Sequence, residues 1–105
     1  MTTVDEVMTL LHERRRRYML YYLSEQNGPV PVTELVDAVA EMEAEETPIP
    51  NGTFDRVEIA LTHNHLPEAQ TAEFVEYDST EKVVRLTDEP PAFNAILTVA
   101  KVLED

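Results

Sequence analysis

Two stretches, Phe74–Tyr77 and Lys82–Thr87, concentrate the β-branched and aromatic residues of strands, and only Asp78–Glu81 lies between them. A four-residue connection joins antiparallel neighbours and is too short for a crossover. The chain therefore contains a β-hairpin, and everything else must pack around it. Val30-Pro31-Val32 is one further short extended piece. Asp88-Glu89-Pro90-Pro91 breaks the second strand.

The remaining segments carry helical spacing. Val4, Val7, Met8 and Leu11 recur at i, i+3, i+4 and i+7. Thr2 or Thr3 is placed to cap this stripe, and Asp5 and Glu6 suit the positive end of its dipole. Met19, Leu20, Tyr22 and Leu23 form a second stripe behind Arg14–Arg17. The pattern fits one helix over 4–26 or two with a bend near His12–Arg14. Asn27-Gly28-Pro29 ends it. Thr33 reads as an N-cap for the stripe Leu35, Val36, Val39 and Met42, which runs into the acidic Glu41–Glu46 segment. Thr47-Pro48-Ile49-Pro50-Asn51-Gly52 is a loop. Thr53 or Asp55 is expected to cap the next helix, which runs to about His65. Pro67 falls inside this helix or just past it, with Leu66 before it biased away from helical geometry. Phe93, Ile96, Leu97, Ala100 and Leu103 mark a final helix over 92–104.

A helix pair followed directly by a hairpin is the order of a winged helix-turn-helix. There the second helix of the pair enters the major groove of DNA and the hairpin flanks it. The expected fold class is α+β and mostly helical: a single winged helix-turn-helix domain over 1–105, with a two-stranded wing and a C-terminal helix in 91–105. One hundred and five residues suit one core. No cysteine is present, which excludes thiol catalysis, disulfide scaffolds and zinc ribbons, and two glycines leave no Gly-rich phosphate loop. No run approaches the ~18 apolar residues of a membrane span. The N-terminus places its charges after its apolar residues, the reverse of a secretory signal, so a cytoplasmic protein without a membrane partner is expected.

The net charge of −13 argues at first against nucleic acid, whose phosphates require Lys and Arg. Its distribution qualifies that. Residues 1–27 balance four arginines against four acids, while residues 28–105 hold 4 basic and 17 acidic residues, spread through every segment. A nucleic-acid mimic would gather acids on one face. Scattered carboxylate with only two lysines fits adaptation to molar salt, where a Debye length of roughly 3 Å screens self-repulsion.

Four segments resemble a haloarchaeal domain family of unknown function. Arg14-Arg15-Arg16-Arg17-Tyr18-Met19-Leu20-Tyr21-Tyr22-Leu23 is similar to its arginine-rich opening. Val32–Glu43 resembles its following helix, Leu61–Pro67 its His-Leu-Pro motif, and Val75-Glu76-Tyr77-Asp78 its first strand. The match covers roughly residues 4–88. The resemblance implies a winged-helix fold of the broad ArsR-like kind, a regulatory role and no enzyme activity. The chain departs from the pattern after Pro67, where Glu68 replaces a lysine and Glu68–Phe74 lacks the family's glycine turn.

The expected partner is double-stranded DNA, bound by a homodimer. Arg14, Arg15, Arg16 and Arg17 are candidate phosphate contacts, against the alternative of a solvated face whose stems cover the core. With Val57, Ala60 and Leu61 inward, the helix over 54–66 presents Arg56, Ile59, Thr62 and His63; turning Ile59 and Leu66 inward changes that set. Arg56 suits guanine, and Thr62 or His63 a base edge or phosphate. Ser79, Thr80, Lys82 and Arg85 are the hairpin's candidate backbone contacts. The stripe Phe93, Ile96, Leu97, Ala100 and Leu103 is the candidate dimer interface, joined by Tyr18, Tyr21 and Tyr22, against packing on its own domain. His63 and His65 lie about 200° apart on a helix and do not chelate together, so neither metal nor cofactor is expected. No nucleophile signature surrounds Ser24 or Ser79, and no catalytic residue is expected. An alternative function is a protein–protein adaptor of the same fold that has lost DNA binding, motivated by Asp55, Glu58 and Glu68 beside the helix face.

Overall fold

A computed structural model describes residues 2–45 and 47–104. Glu46, the last of the acidic segment, and Asp105, the end of the expected terminal helix, lie outside the described residues, as does Met1. The elements are α1 (Val4–Leu10), α2 (Arg14–Ser24), β1 (Val30–Pro31), α3 (Val32–Glu43), α4 (Asn51–Ala60), a π-helical turn (Leu61–His65), α5 (Leu66–Ala69), β2 (Val75–Asp78), β3 (Val83–Leu86) and α6 (Pro91–Glu104).

The N-terminal pattern resolves as two helices. Thr3 caps α1, its Oγ1 accepting from the Glu6 N–H at 3.1 Å. The chain leaves helical geometry after Leu10 and re-enters at Arg14, through an extended Glu13. Arginines of α2 make that break affordable in hydrogen bonds. Arg16 Nη1 donates to the carbonyls of Thr9 at 3.2 Å and Leu10 at 3.4 Å. Arg17 Nη1 donates to Leu11 O at 2.7 Å and His12 O at 3.1 Å. These are carbonyls that a helix C-terminus leaves without intrahelical partners.

The sheet has three strands where the hairpin alone accounts for two. Its order is β1-β3-β2, all antiparallel. Val30 pairs with Val84 and Pro31 with Val83, so the short extended piece becomes an edge strand, where a proline is tolerated. The same pairing moves the start of α3. The helix begins at Val32 with no side-chain cap, and Thr33 is inside it. The Val32 N–H donates instead to the Lys82 carbonyl at 2.9 Å. Lys82 reaches that position at φ 57, in the left-handed region. Asp78 Oδ1 accepts from the Thr80 and Glu81 N–H groups, both at 2.9 Å, and closes the hairpin turn.

Two boundaries of the long second-layer helix differ from expectation. It starts at Asn51, ahead of Thr53, and it does not end at His65. Leu66 is helical at φ −69, ψ −46 despite preceding Pro67. The π turn explains this: the Leu66 N–H donates to Leu61 O, one residue further back than in an α-helix. The widened turn accommodates the proline ring and its missing donor, which would otherwise disrupt the ladder.

The core is continuous across all layers. Val7 of α1, Met19 and Leu20 of α2, Leu35 and Val39 of α3, Val57, Leu61 and Leu66 of the α4–α5 run, Val84 of β3 and Phe93 of α6 are fully buried in one cluster. Phe93 stacks obliquely on Phe74, with ring centroids 4.4 Å apart and planes at 47°. This contact fastens α6 where the hairpin begins.

Candidate functional site

Two regions were expected to meet a partner, and the fold treats them differently. The first is the arginine run. Consecutive residues point to all sides of a helix, so the four separate into different environments. Arg15 turns to α3 and forms a two-pronged pair with Glu43, both hydrogen bonds at 2.8 Å. Arg16 is buried and occupied with the α1 carbonyls. Arg17 turns to α6, where Nε and Nη2 donate to the two Glu104 oxygens at 2.9 and 2.8 Å. Arg14 is exposed and has no ion pair among the described residues.

The tyrosines follow the same inward pattern. Tyr21 donates to Glu104 Oε1 at 2.7 Å, and Tyr22 donates to Glu34. Tyr18 lies beside Tyr21, ring centroids 6.2 Å apart. The Arg17 hydrogen bonds hold the Glu104 carboxyl below the usual carboxylate range. Burial, then the Glu104 hydrogen bond, raises the Tyr21 hydroxyl far above its ordinary value. The triad therefore stays as Arg⁺, Glu⁻ and neutral Tyr through the neutral range.

The second region is the outer face of α4 and the π turn. Val57 and Leu61 are buried and Ala60 is half-buried, while Arg56, Ile59 and His63 are exposed and Thr62 is half-buried. Of the two orientations the spacing allowed for Ile59, the outward one is observed; Leu66 nevertheless points inward, because the π turn rotates it there. Thr62 Oγ1 donates to Glu58 O at 2.8 Å. Arg56 folds back along the first turn of α4, Nη2 donating to Thr53 Oγ1 at 3.2 Å.

This face and the hairpin enclose one groove of about 500 Å³. Glu58, Ile59, Thr62 and His63 line it from the helix, Tyr77, Glu81 and Lys82 from the hairpin, and Pro31, Val32 and Thr33 from the start of α3. The three elements meet because β1–β3 pairing and the Val32–Lys82 hydrogen bond tie the hairpin turn to α3. Ser79 and Thr80 are exposed at the turn. Arg85 is exposed on the hairpin but paired with Glu76 at 2.7 Å. Arg56 and Lys82 make no ion pair among the described residues. The groove lining thus combines apolar Ile59, Pro31 and Val32 with charges of both signs, Glu58, Glu81 and Lys82.

His63 and His65 separate as their spacing requires. His63 faces the groove, and His65 is buried on the opposite side with Nδ1 unpartnered. Burial, and next the charge of Arg16, lowers the His65 pKa; Glu13 and Glu43 pull the other way. Arg16 Nε is the other buried nitrogen without a partner. Sequence reasoning treated the arginine run and the His-Leu-Pro motif as separate features. Only the packing of α2 against the π turn brings them together. No group of three or more His, Cys, Asp or Glu suited to a metal occurs among the described residues.

The α6 stripe divides in two. Phe93 and Leu97 lie inside this chain's own core, with Ile96 and Ala100 half-buried beside them. Phe93 and Leu97, and in part Ile96 and Ala100, thus pack on their own domain. Leu103 alone of the five is fully outward, 80% exposed. No helix among the described residues is long and apolar enough to cross a membrane.

Comparison with curated proteins and with solved structures finds no match. One family model does match, over residues 8–85, which span α2 through β3 with the arginine run, the groove and the His-Leu-Pro motif, and leave out α6. With about three quarters of its length inside that match, the chain belongs to the family described as Domain of unknown function (DUF7344).

Proposed function

We propose that this chain is a winged helix-turn-helix transcriptional regulator of a salt-rich archaeal cytoplasm, broadly ArsR-like, binding duplex DNA as a homodimer. One observation carries the reading: the outward face of α4 and the hairpin turn flank a single groove, with α3 behind them. A helix–turn–helix pair with a three-stranded sheet of order β1-β3-β2 supports the winged arrangement. In this reading Arg56, Thr62 and His63 approach base edges in the major groove. Lys82 and Arg85, with Ser79 and Thr80, approach the flanking backbone, and Arg14 supplies the one outward cation of its run. Ile59 suits a thymine methyl group.

The small number of outward cations has a measurable consequence. With Arg14, Arg56, Lys82 and Arg85 of each of two subunits as the phosphate and base contacts, log K should fall with log salt at a slope no steeper than roughly −7. Fluorescence anisotropy against the DNA upstream of its own gene, in about 1–2 M KCl, tests this. Specific binding that Arg56→Glu abolishes supports the reading; affinity no higher than for random duplex overturns it.

The adaptor reading is favoured by a different observation. Glu58 and Glu81 line the same groove as the exposed Ile59, and Arg15, Arg16 and Arg17 are engaged within the chain. A lining with exposed Ile59 and two carboxylates against one lysine suits a basic, apolar peptide better than phosphate. Retained capture of a protein partner by an Arg56→Glu variant, with no DNA binding by either form, would favour it.

A further inference from the structure

The face of α6 turned away from the core is itself apolar. Val99 is 57% exposed, Val102 70% and Leu103 80%, with Ala95 exposed and Ile96 half-buried along the same side. A helix apolar on both faces is normally covered on both. Its neighbour α1, which packs on α6, also leaves Val4 and Met8 more than half exposed. Residues 90–103 form the longest acid-free stretch in a chain with 21 acids. Glu104, which ends the stretch, is turned inward to Arg17 and Tyr21. The outward residues of α6 itself therefore carry no carboxylate; the nearest one shown against the helix is Glu25, paired with Lys101 on its flank.

We infer that this face is an isologous interface with a second copy of the chain, α6 against α6 in antiparallel register about Val99. The inference rests on the homodimer of the reading above and names its surface; it does not rest on DNA binding. Charge selects the occupant. A basic partner would gain from the carboxylate-covered faces and lose by docking here. A chain as acidic as this one approaches closely only where carboxylates are missing. The residue sizes select the register. A two-fold axis at Val99 sets Ile96 opposite Val102 of the second copy, and the small Ala95 opposite the large Leu103. Small opposite large is the pairing that interdigitation calls for.

The salt dependence follows and runs opposite to that of an ion-paired interface. Two bodies of −13 repel at low ionic strength, and screening removes that repulsion while apolar burial remains. Dimerisation should strengthen as KCl rises.

Sedimentation equilibrium of the full chain across ~0.2 to ~2 M KCl reads the prediction directly. The expected result is a monomer–dimer equilibrium that tightens at least about tenfold over that range, from loss of charge repulsion. Val99→Asp and Leu103→Asp, both at exposed positions, should weaken it at least about tenfold at high salt, roughly 1.4 kcal/mol or more. Circular dichroism checks that both variants remain folded. Ile59→Asp, on the groove, is the control and should dimerise like the parent. A dimer that survives both α6 substitutions, or that Ile59→Asp disrupts, overturns this interface while leaving a homodimer. A monomer at every salt concentration overturns the interface and the homodimer together. DNA binding, measured separately, decides neither.

Discussion

The molecule's two basic regions use their cations in opposite directions. On α2, three arginines of a four-residue run are drawn inward: to Glu43, to the carbonyls that end α1, and to Glu104. On the α4–hairpin side, Arg56 and Lys82 are isolated in the sequence, exposed, and without an ion pair among the described residues. A cluster in the sequence is thus not a cluster on the surface. The helical turn disperses neighbours by about 100° each, and in a chain this acidic most directions lead to a carboxylate or a carbonyl. The surface available to an anionic partner is assembled from residues far apart in the chain.

That contrast can be broken by substitution. Removing an inward arginine should cost stability, and removing an outward cation should cost only binding. Arg16→Ala has the largest expected effect, about 2–4 kcal/mol of destabilisation. It removes a buried donor from the Leu10 carbonyl and a second donor from that of Thr9, which keeps the His12 N–H, and it leaves a void where the buried side chain sat. Urea denaturation at fixed salt measures this, and a loss under about 0.5 kcal/mol would show that the run is a solvated face after all.

Arg17→Ala comes next, at about 1–2 kcal/mol, because its two-pronged pair with Glu104 is only about a fifth exposed and joins α2 to α6. The pair also sets an acid limit. The folded-state pKa of Glu104 is lowered, so its contribution is complete above the unfolded value and is lost as pH falls through the folded one. The gap between parent and Arg17→Ala melting curves should therefore narrow as pH falls below the ordinary Glu value of about 4.3, down to what the Leu11 and His12 carbonyl bonds contribute.

His65 sharpens the comparison from the other side of α2. Its folded-state pKa is lowered by burial and by Arg16, so protonation disfavours the folded state. Stability should be fully present above about pH 6.5 and decline as pH falls below it, by at most about 1.4 kcal/mol for each unit of depression. A His65→Gln variant should lose this slope between about pH 6.5 and 5, and NMR titration of the ring should place the midpoint below 6.5. A midpoint at or above 6.5 would contradict the buried neutral state.

The smallest expected effect belongs to Arg56→Ala, whose stability should change by under about 0.5 kcal/mol. The guanidinium is exposed and donates only to the neighbouring Thr53 hydroxyl. A larger loss would place Arg56 with the inward arginines.

Much of the architecture was legible in the order of residues because it rests on local periodicity. Most of the α3 and α6 stripes, the hairpin and the break at Asn27–Pro29 follow from neighbours a few positions apart, whereas in α1 the spacing marked the helix but not its inner face: Val4 and Met8 are exposed and Leu10 is buried. The boundaries that differed share a cause. Thr33 did not cap α3 because the Lys82 carbonyl, fifty residues on in the fold's hairpin, took the helix's first N–H instead. His65 did not end the second-layer helix because a π turn lets Leu66 stay helical before Pro67. Neither a cross-strand partner nor a shifted hydrogen-bond ladder leaves a mark in local spacing.

The sequence by itself determined that this chain forms helices around one hairpin, that it is strongly acidic, and that cysteine and glycine-loop chemistry is absent from it. The tertiary structure alone decided which charges are available. Arg15 and Glu43 lie 28 residues apart, and Arg17 and Glu104 lie 87 apart. It also decided how far the α6 stripe is covered, since Phe93 and Leu97 are buried whereas Leu103, in the same stripe, is 80% exposed. Periodicity is a property of neighbours, whereas ion pairing and burial are settled by whatever segment arrives from a distance.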